Sequence, residues 1–183
     1  MRKIVVFCGP PLSGKSTLAA LYACEAGVPV LEMDSIRLRI LPESQQSKAD
    51  RNISYRCMHY TTERLILCGV REVALVATYG PWEHRRDLIE MAARCGAKLY
   101  VIQCSVEAES AADRFAARPL GHAAVDLNPQ RVRDLVAGYP FSDAAPTINT
   151  TDVSAAVALS VLLRHLNSGE PLQALDQWVD CAK

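Results

Sequence analysis

A glycine-rich segment near the N-terminus carries the residue types that bind phosphate groups. It consists of Gly9, Pro10, Pro11, Leu12, Ser13, Gly14, Lys15, Ser16 and Thr17, in the pattern G-x-x-x-x-G-K-S. Gly9 and Gly14 allow backbone angles and close approaches that a Cβ would block, so several backbone N–H groups can point at one phosphate. A helical pattern follows, and its N-terminus would add unpaired donors and the positive end of the helix dipole. All of residues 9–17 are therefore predicted to bind the phosphates of a nucleotide.

Three side chains at the end of this segment have separate predicted roles. Lys15 would reach the β- and γ-phosphates. The Ser16 hydroxyl is in position to ligate Mg²⁺, which bridges β- and γ-oxygens and neutralises charge during phosphoryl transfer. Thr17 would contact the α-phosphate. The alternative, an ordinary glycine turn with a surface lysine, is disfavoured because a strand-like apolar run precedes the segment and a helical pattern follows it.

A carboxylate and an arginine follow the second strand-like run. Asp34 and Arg37 are spaced so that both side chains lie on roughly one face of a helix start. A carboxylate in this position can accept the proton of an attacking hydroxyl, and an arginine one turn later can hold an anion on the substrate. Alternatively, Asp34 caps the helix. The two residues alone do not decide between the catalytic and the capping role.

A second pair of arginines lies in a later helical pattern. Arg114 and Arg118 are four residues apart, so both guanidinium groups occupy one helix face. Each could donate two hydrogen bonds to the oxygens of a transferring phosphoryl group. The alternative is a surface helix whose arginines pair with the acids at positions 107, 109 and 113.

The elements that must position these residues form a βα repeat. Helical patterns lie at about 15–26, 52–69, 83–95, 107–117, 129–137 and 152–167, and they alternate with apolar, strand-like runs at about 3–8, 28–32, 72–77, 97–103 and 146–149. The runs are continuously apolar, as in parallel strands that helices cover on both faces. We expect a single-domain α/β P-loop NTPase fold with a five-stranded parallel sheet, and ligands at the carboxyl ends of its strands.

The domain is expected to span residues 1–168, with a mobile, arginine-bearing lid at about 114–128. Residues 169–183 form a further segment with apolar residues on one helix face, which is predicted to dock on the domain. The polar stretch at 42–52 lacks periodicity and is predicted to be a mobile loop.

The composition bears on the kinds of binding partner and on the compartment that we expect for this protein. Twenty basic and twenty acidic residues give a net charge of zero, so no global field attracts nucleic acid or a membrane surface. No stretch is long and apolar enough to cross a bilayer. An odd number of cysteines, seven, without a C-x-x-C pair or a secretory pattern, favours a cytoplasmic protein.

The order of these motifs resembles a family of small P-loop kinases with an AAA-type ATP-binding domain, which includes polynucleotide 5′-kinases and zeta-toxin-like kinases. The resemblance covers about residues 3–150 and rests on the phosphate loop, V-x-x-x-D-x-x-R from Val30, Ala77-Thr78 with an arginine in the next helix start, and R-x-x-x-R. It implies ATP and Mg²⁺ as cofactors. It also implies that Asp34 is the general base, that Arg37 and Arg85 bind substrate beside Thr78, and that Arg114 and Arg118 are catalytic lid arginines.

The chain departs from this family at one position. Many relatives have an aspartate at the end of the third strand, in a D-A-T sequence, whereas this chain has Val76. The acid that could hold Mg²⁺ through water is missing there, which leaves Asp34 as the expected nearby carboxylate. The departure keeps open a slow or non-catalytic ATP-binding regulatory protein.

The leading prediction is a kinase that transfers the γ-phosphate of ATP to a hydroxyl group, either a polynucleotide 5′-OH or a small metabolite. A polynucleotide would need a basic, aromatic-lined groove. Candidates for such a groove are Arg51, Tyr55, Arg56, His59, Tyr60, Arg64, Tyr79 and Trp82. A solvated helix face is the alternative for part of this set.

Overall fold

The structure is a computed structural model of the chain, and it describes residues 1–117, 127–172 and 174–183. In this part of the chain the sheet consists of β1 (Arg2–Cys8), β2 (Val30–Glu32), β3 (Glu72–Val76), β4 (Ala97–Ser105) and β5 (Thr147–Asn149). Every neighbouring pair is parallel, and the order across the sheet is β2-β3-β1-β4-β5. The predicted five-stranded parallel sheet is confirmed.

Helices follow the strands in the alternation that the sequence predicts. They are α1 (Lys15–Ala26), α2 (Met33–Ile40), α3 (Lys48–Leu67), α4 (Trp82–Arg94), α5 (Ala108–Ala116), α6 (Pro129–Ala137), α7 (Ala155–Ser168) and α8 (Leu175–Asp180). None of those helices combines the length and the apolar character needed to cross a membrane.

The central strand β1 shows why its run is continuously apolar. Ile4 and Val6 belong to one core cluster, and Val5 and Phe7 belong to a second one. Successive side chains of a strand point to opposite faces of the sheet, so helices on both faces bury the five consecutive positions Ile4 to Cys8 of β1. The two clusters together hold the sheet between helical layers.

The polar stretch at 42–52 differs from its prediction at its C-terminal end. Helix α3 begins at Lys48, and Ser47 forms its capping box. The Ser47 hydroxyl accepts from the Asp50 backbone N–H at 3.1 Å, and the Asp50 carboxylate accepts from the Ser47 N–H at 3.2 Å. Two otherwise unpaired donors are thus satisfied, which starts the helix earlier than apolar periodicity indicates.

The C-terminal segment packs onto the domain through α8. Trp178 is fully buried, within the same core cluster as Leu88 of α4. The Leu172 N–H also donates to the carbonyl of Leu99 in β4 at 2.7 Å. The segment therefore completes the core on one face of the sheet.

Candidate active site

A cavity of about 960 Å³ opens at the carboxyl edge of the sheet. The predicted site residues in its wall are Pro10, Pro11, Leu12, Gly14, Lys15, Ser16, Thr17, Asp34, Thr78 and Arg114. Gly9 and Ser13 are buried within the same loop. The fold therefore brings the phosphate loop, the predicted base and a predicted lid arginine to one cavity.

The backbone of the phosphate loop requires its glycines. Gly9 has φ 149°, and a Cβ there would lie 2.3 Å from the Cys104 carbonyl oxygen of β4. Gly14 has φ 76° and is the N-cap of α1. A side chain at either position would be strained, and at Gly9 it would also collide with backbone. The loop can therefore lie close against the strand ends and present its N–H groups to the cavity.

Lys15 is held within the loop. Its Nζ donates to the Pro10 carbonyl at 3.1 Å. Burial lowers the pKa of Lys15, and the nearby carboxylates of Asp34 and Glu32 oppose that effect. A desolvated ammonium gains most from an added anion, so this environment suits a phosphate ligand.

Ser16 contacts a carboxylate that the sequence interpretation missed. Its hydroxyl donates to Glu32 Oε1 at 2.5 Å, and the Ser35 hydroxyl donates to Glu32 Oε2 at 2.8 Å. Glu32 is the last residue of β2 and lines the cavity. Asp34 was expected to be the only nearby carboxylate, and this expectation is corrected, because Glu32 and Asp34 both line the cavity. The available signal was the position of Glu32 at the carboxyl end of a strand-like run, one of the places where parallel sheets bind ligands.

Asp34 lies in the first turn of α2 and does not cap it, because the N-cap residue is Glu32. Its carboxylate is 43% exposed and lies 3.4 Å from the Arg37 Nη2. Arg37 itself is only 1% exposed. The structure therefore brings Asp34 to the cavity wall and buries the arginine that was predicted to bind substrate. This placement corrects the prediction for Arg37, which instead contacts and orients the Asp34 carboxylate.

Arg114 of α5 ties the phosphate loop to the end of β5. Its Nη1 donates to the Leu12 carbonyl at 3.0 Å and to the Thr150 Oγ1 at 3.1 Å, and its Nη2 donates to the carbonyls of Thr150 and Thr151. The Thr150 hydroxyl in turn donates to the Ser13 carbonyl at 3.0 Å. The guanidinium thus lies at the cavity wall and also fixes the loop. The prediction for Arg118, with most of the predicted lid, falls on residues outside the described part of the chain.

Thr78 lies at the cavity wall beyond the end of β3. Its Oγ1 is 3.2 Å from the Tyr55 hydroxyl, which also accepts from the Tyr79 N–H at 3.0 Å. The Tyr55 ring stacks on His84 with centroids 3.7 Å apart. Burial raises the pKa of Tyr55 to about 12 and lowers the pKa of His84, so both side chains are neutral near pH 7. This wall of the cavity is a fixed, uncharged aromatic surface.

Arg85 is fully buried, and its predicted role in substrate binding is corrected. Its Nε donates to the Tyr79 carbonyl at 2.6 Å, its Nη1 to the Trp178 carbonyl at 2.6 Å, and its Nη2 to the Pro140 carbonyl at 2.7 Å. Its guanidinium also lies 5.0 Å from the Trp178 ring. The side chain is a structural link between α4, α8 and two loops.

The predicted nucleic-acid groove is also corrected. Tyr55, His59 and Tyr79 are buried and pack on one another, with His59 and Tyr79 stacked at 6.0 Å between centroids. Tyr60, by contrast, is 64% exposed. The aromatic rings that would have stacked on bases are mostly core side chains, because helical spacing alone does not distinguish a buried stripe from an exposed one.

Solved structures of three kinases have a similar fold. A sugar kinase from Janibacter sp. HTCC2649 has a TM-score of 0.69 and 18% identity over 91% of this chain and 95% of that chain. APS kinase from Mycobacterium tuberculosis, solved with AMPPNP and APS, has a TM-score of 0.67 and 22% identity over 91% of this chain and 98% of that chain. Shikimate kinase from Bacteroides thetaiotaomicron has a TM-score of 0.64 and 14% identity over 90% of this chain and 98% of that chain.

The family is shown by sequence. No curated protein sequence matches the chain significantly. Residues 4–141, more than half of the 183 residues, match the model of an AAA domain family, AAA_33. This stretch includes the phosphate loop, Asp34, Thr78 and Arg114, and its match agrees with the predicted resemblance to small P-loop kinases. The chain therefore belongs to the AAA_33 family of AAA domains and has the fold of the P-loop kinases.

Proposed function

We propose that this protein is a kinase that transfers the γ-phosphate of ATP to a hydroxyl group of a small molecule. The observation that carries the proposal is that the phosphate loop, with Lys15 and Ser16, and the Asp34 carboxylate line one cavity of about 960 Å³. That volume is at the upper end of the range of small-molecule sites, roughly 300–1,000 Å³, and suits a nucleotide beside a small acceptor.

The nucleotide would lie along the phosphate loop. The N–H groups of the loop and the start of α1 would bind its phosphates, and Lys15 would contact the β- and γ-phosphates. The oxygen donors at Ser16 and Glu32 are of the kind that Mg²⁺ prefers, so the residues present fit this ion. When bound, Mg²⁺ neutralises the charge that the phosphates carry during transfer.

Asp34 would act on the acceptor. Its exposed carboxylate can accept the hydrogen bond of an acceptor hydroxyl, hold the oxygen in line with the γ-phosphate and take the proton as the new bond forms. The neighbouring Arg37 guanidinium lies 3.4 Å from this carboxylate and fixes its orientation. Arg114, at the same wall, would add positive charge beside the phosphates.

A small acceptor is supported over a polynucleotide by the aromatic part of the cavity wall. Tyr55 and His84 are stacked there on each other and both are buried, so neither ring offers an open face on which a base could stack. Arg51 also lines this cavity, and its positive charge suits an acceptor with a negative group. In the same fold, APS kinase binds AMPPNP together with the small acceptor APS.

The test is phosphoryl transfer from radiolabelled ATP with Mg²⁺ to panels of anionic sugars, other small alcohols and 5′-hydroxyl oligonucleotides. The wild-type protein is expected to label a small alcohol, and Lys15→Ala is expected to label none. Labelling of the oligonucleotide alone would reject the small-molecule acceptor. Tight ATP binding without transfer to any acceptor would instead support the regulatory nucleotide binder.

A further inference from the structure

We propose that Glu32 is the positioning residue for the metal-ligating hydroxyl of Ser16, in place of an acid at the end of β3. The inference rests on the proposed function, since it assigns one part of a magnesium–nucleotide site. It concerns a residue at an unspecified position of the motif that identified Asp34 and Arg37.

The contact between the two side chains determines where the Ser16 lone pairs point. A hydroxyl has one proton and two lone pairs. Because the proton is donated to Glu32 Oε1 at 2.5 Å, the lone pairs of the Ser16 oxygen are directed elsewhere, toward the cavity that both residues line. A cation bound there would meet an oriented oxygen ligand, with a carboxylate behind it.

The second oxygen of Glu32 is fixed as well. It accepts from the Ser35 hydroxyl at 2.8 Å. Although Glu32 is the N-cap residue of α2, its side chain does not make the capping hydrogen bond to that helix. The carboxylate is thus directed to two hydroxyls and not to the helix backbone, which separates this arrangement from ordinary capping.

Strand register explains how Glu32 can replace an acid on β3. Glu32 pairs with Val76 across the parallel strands β2 and β3. Paired positions on neighbouring strands are about 4.8 Å apart and direct their side chains to the same face of the sheet. Val76 is 1% exposed and belongs to the core cluster that contains Leu18 of α1. The carboxylate missing from position 76 is therefore supplied one strand away, on the face where α1 presents Ser16.

The test compares nucleotide affinity with and without Mg²⁺ in the full chain. Binding of a fluorescent, non-hydrolysable ATP analogue is titrated in Mg²⁺ and in EDTA. Mn²⁺ is then used as a spectroscopic probe, with electron paramagnetic resonance reporting its binding to the protein–nucleotide complex. Glu32→Ala is expected to weaken Mn²⁺ binding by about 10- to 100-fold and to leave the affinity for the nucleotide analogue in EDTA unchanged. Glu25→Ala, at an exposed position of α1, is the matched control and is expected to behave as wild type.

A double variant tests whether a carboxylate on β3 can take the place of Glu32. Glu32→Ala combined with Val76→Asp returns a carboxylate to the paired position and is expected to recover part of the lost Mn²⁺ affinity. If Glu32→Ala keeps the wild-type affinity for Mn²⁺, the role of Glu32 is overturned, but the proposed kinase function is not affected. The double variant could bind nucleotide in EDTA and still bind Mn²⁺ as weakly as Glu32→Ala does. That result would overturn the claim that an acid at position 76 and an acid at position 32 can replace each other. Failure of the wild-type protein to bind the analogue in either buffer would reject the proposed function itself.

Discussion

The Arg85 guanidinium donates to the Trp178 carbonyl at 2.6 Å and lies 5.0 Å from the Trp178 ring. The two residues are 93 positions apart in the chain. Through them the C-terminal helix is connected to α4 and to the Tyr79 carbonyl, which follows Thr78 at the cavity wall. A charged side chain inside the core thus supports the part of the cavity wall that contains Thr78.

Arg85→Ala is expected to lower the free energy of unfolding by about 3 kcal/mol or more, because it removes a buried, charged donor from the carbonyl groups of Tyr79, Trp178 and Pro140. Urea denaturation followed by circular dichroism measures the change. Arg86→Ala is the matched control, since Arg86 is half exposed and a surface change of this kind shifts stability by about 0.5 kcal/mol or less. Equal midpoints for the two variants would contradict the structural role of Arg85.

Asp34→Asn is expected to lower kcat by about 100- to 10,000-fold, because the amide keeps the shape of the carboxylate but cannot take a proton. Nucleotide affinity is expected to stay within about twofold of wild type, since Asp34 acts on the acceptor. Steady-state kinetics and analogue titration give the two quantities. The assignment fails if kcat is unchanged.

Arg114→Lys is expected to weaken ATP binding by roughly tenfold. The lysine keeps the charge, but a single ammonium cannot bridge Leu12 of the phosphate loop and Thr150 beyond β5 as the planar guanidinium does. Isothermal titration of the analogue measures this loss. Arg131→Lys, at another part of the same cavity wall, provides the comparison. If Arg114→Lys binds ATP as tightly as the wild type, Arg114 contributes charge alone and does not fix the loop.

The stability of the protein is expected to fall in mild acid because of His59. Burial lowers the pKa of His59 from 6.5 to about 4. The unfolded chain therefore binds a proton as the pH falls below 6.5, while the folded chain does so only near pH 4, so stability is lost between these values. Going from about pH 7.5 to about pH 5, this histidine alone should cost about 2 kcal/mol of unfolding free energy.

His59→Gln tests this pH dependence. Glutamine does not titrate in this pH range. Between the two pH values the variant should therefore lose about 2 kcal/mol less unfolding free energy than the wild type. Urea denaturation at both pH values measures the difference. His165→Gln, at an exposed position of α7, should retain the wild-type pH dependence. Identical pH profiles for His59→Gln and wild type would show that His59 does not stay neutral in the folded protein.

The sequence by itself determined the phosphate loop and the parallel α/β fold. Both depend on short-range information, namely glycine spacing, apolar runs of strand length and helical periodicity. It also indicated Asp34, because ligands bind at the carboxyl ends of the strands in a parallel sheet, and Asp34 follows such a strand end beside the phosphate loop.

Only the tertiary structure decided the roles of Glu32 and Arg85. Glu32 becomes relevant through its register with Val76 and its contact with Ser16, which bring together residues from different strands and helices. Arg85 is surrounded by carbonyl groups, which every residue possesses, so the sequence contains no pattern that marks its partners. Helical spacing likewise could not tell whether Tyr55 and His59 are exposed, and their packing against Tyr79 in the structure shows that both are buried.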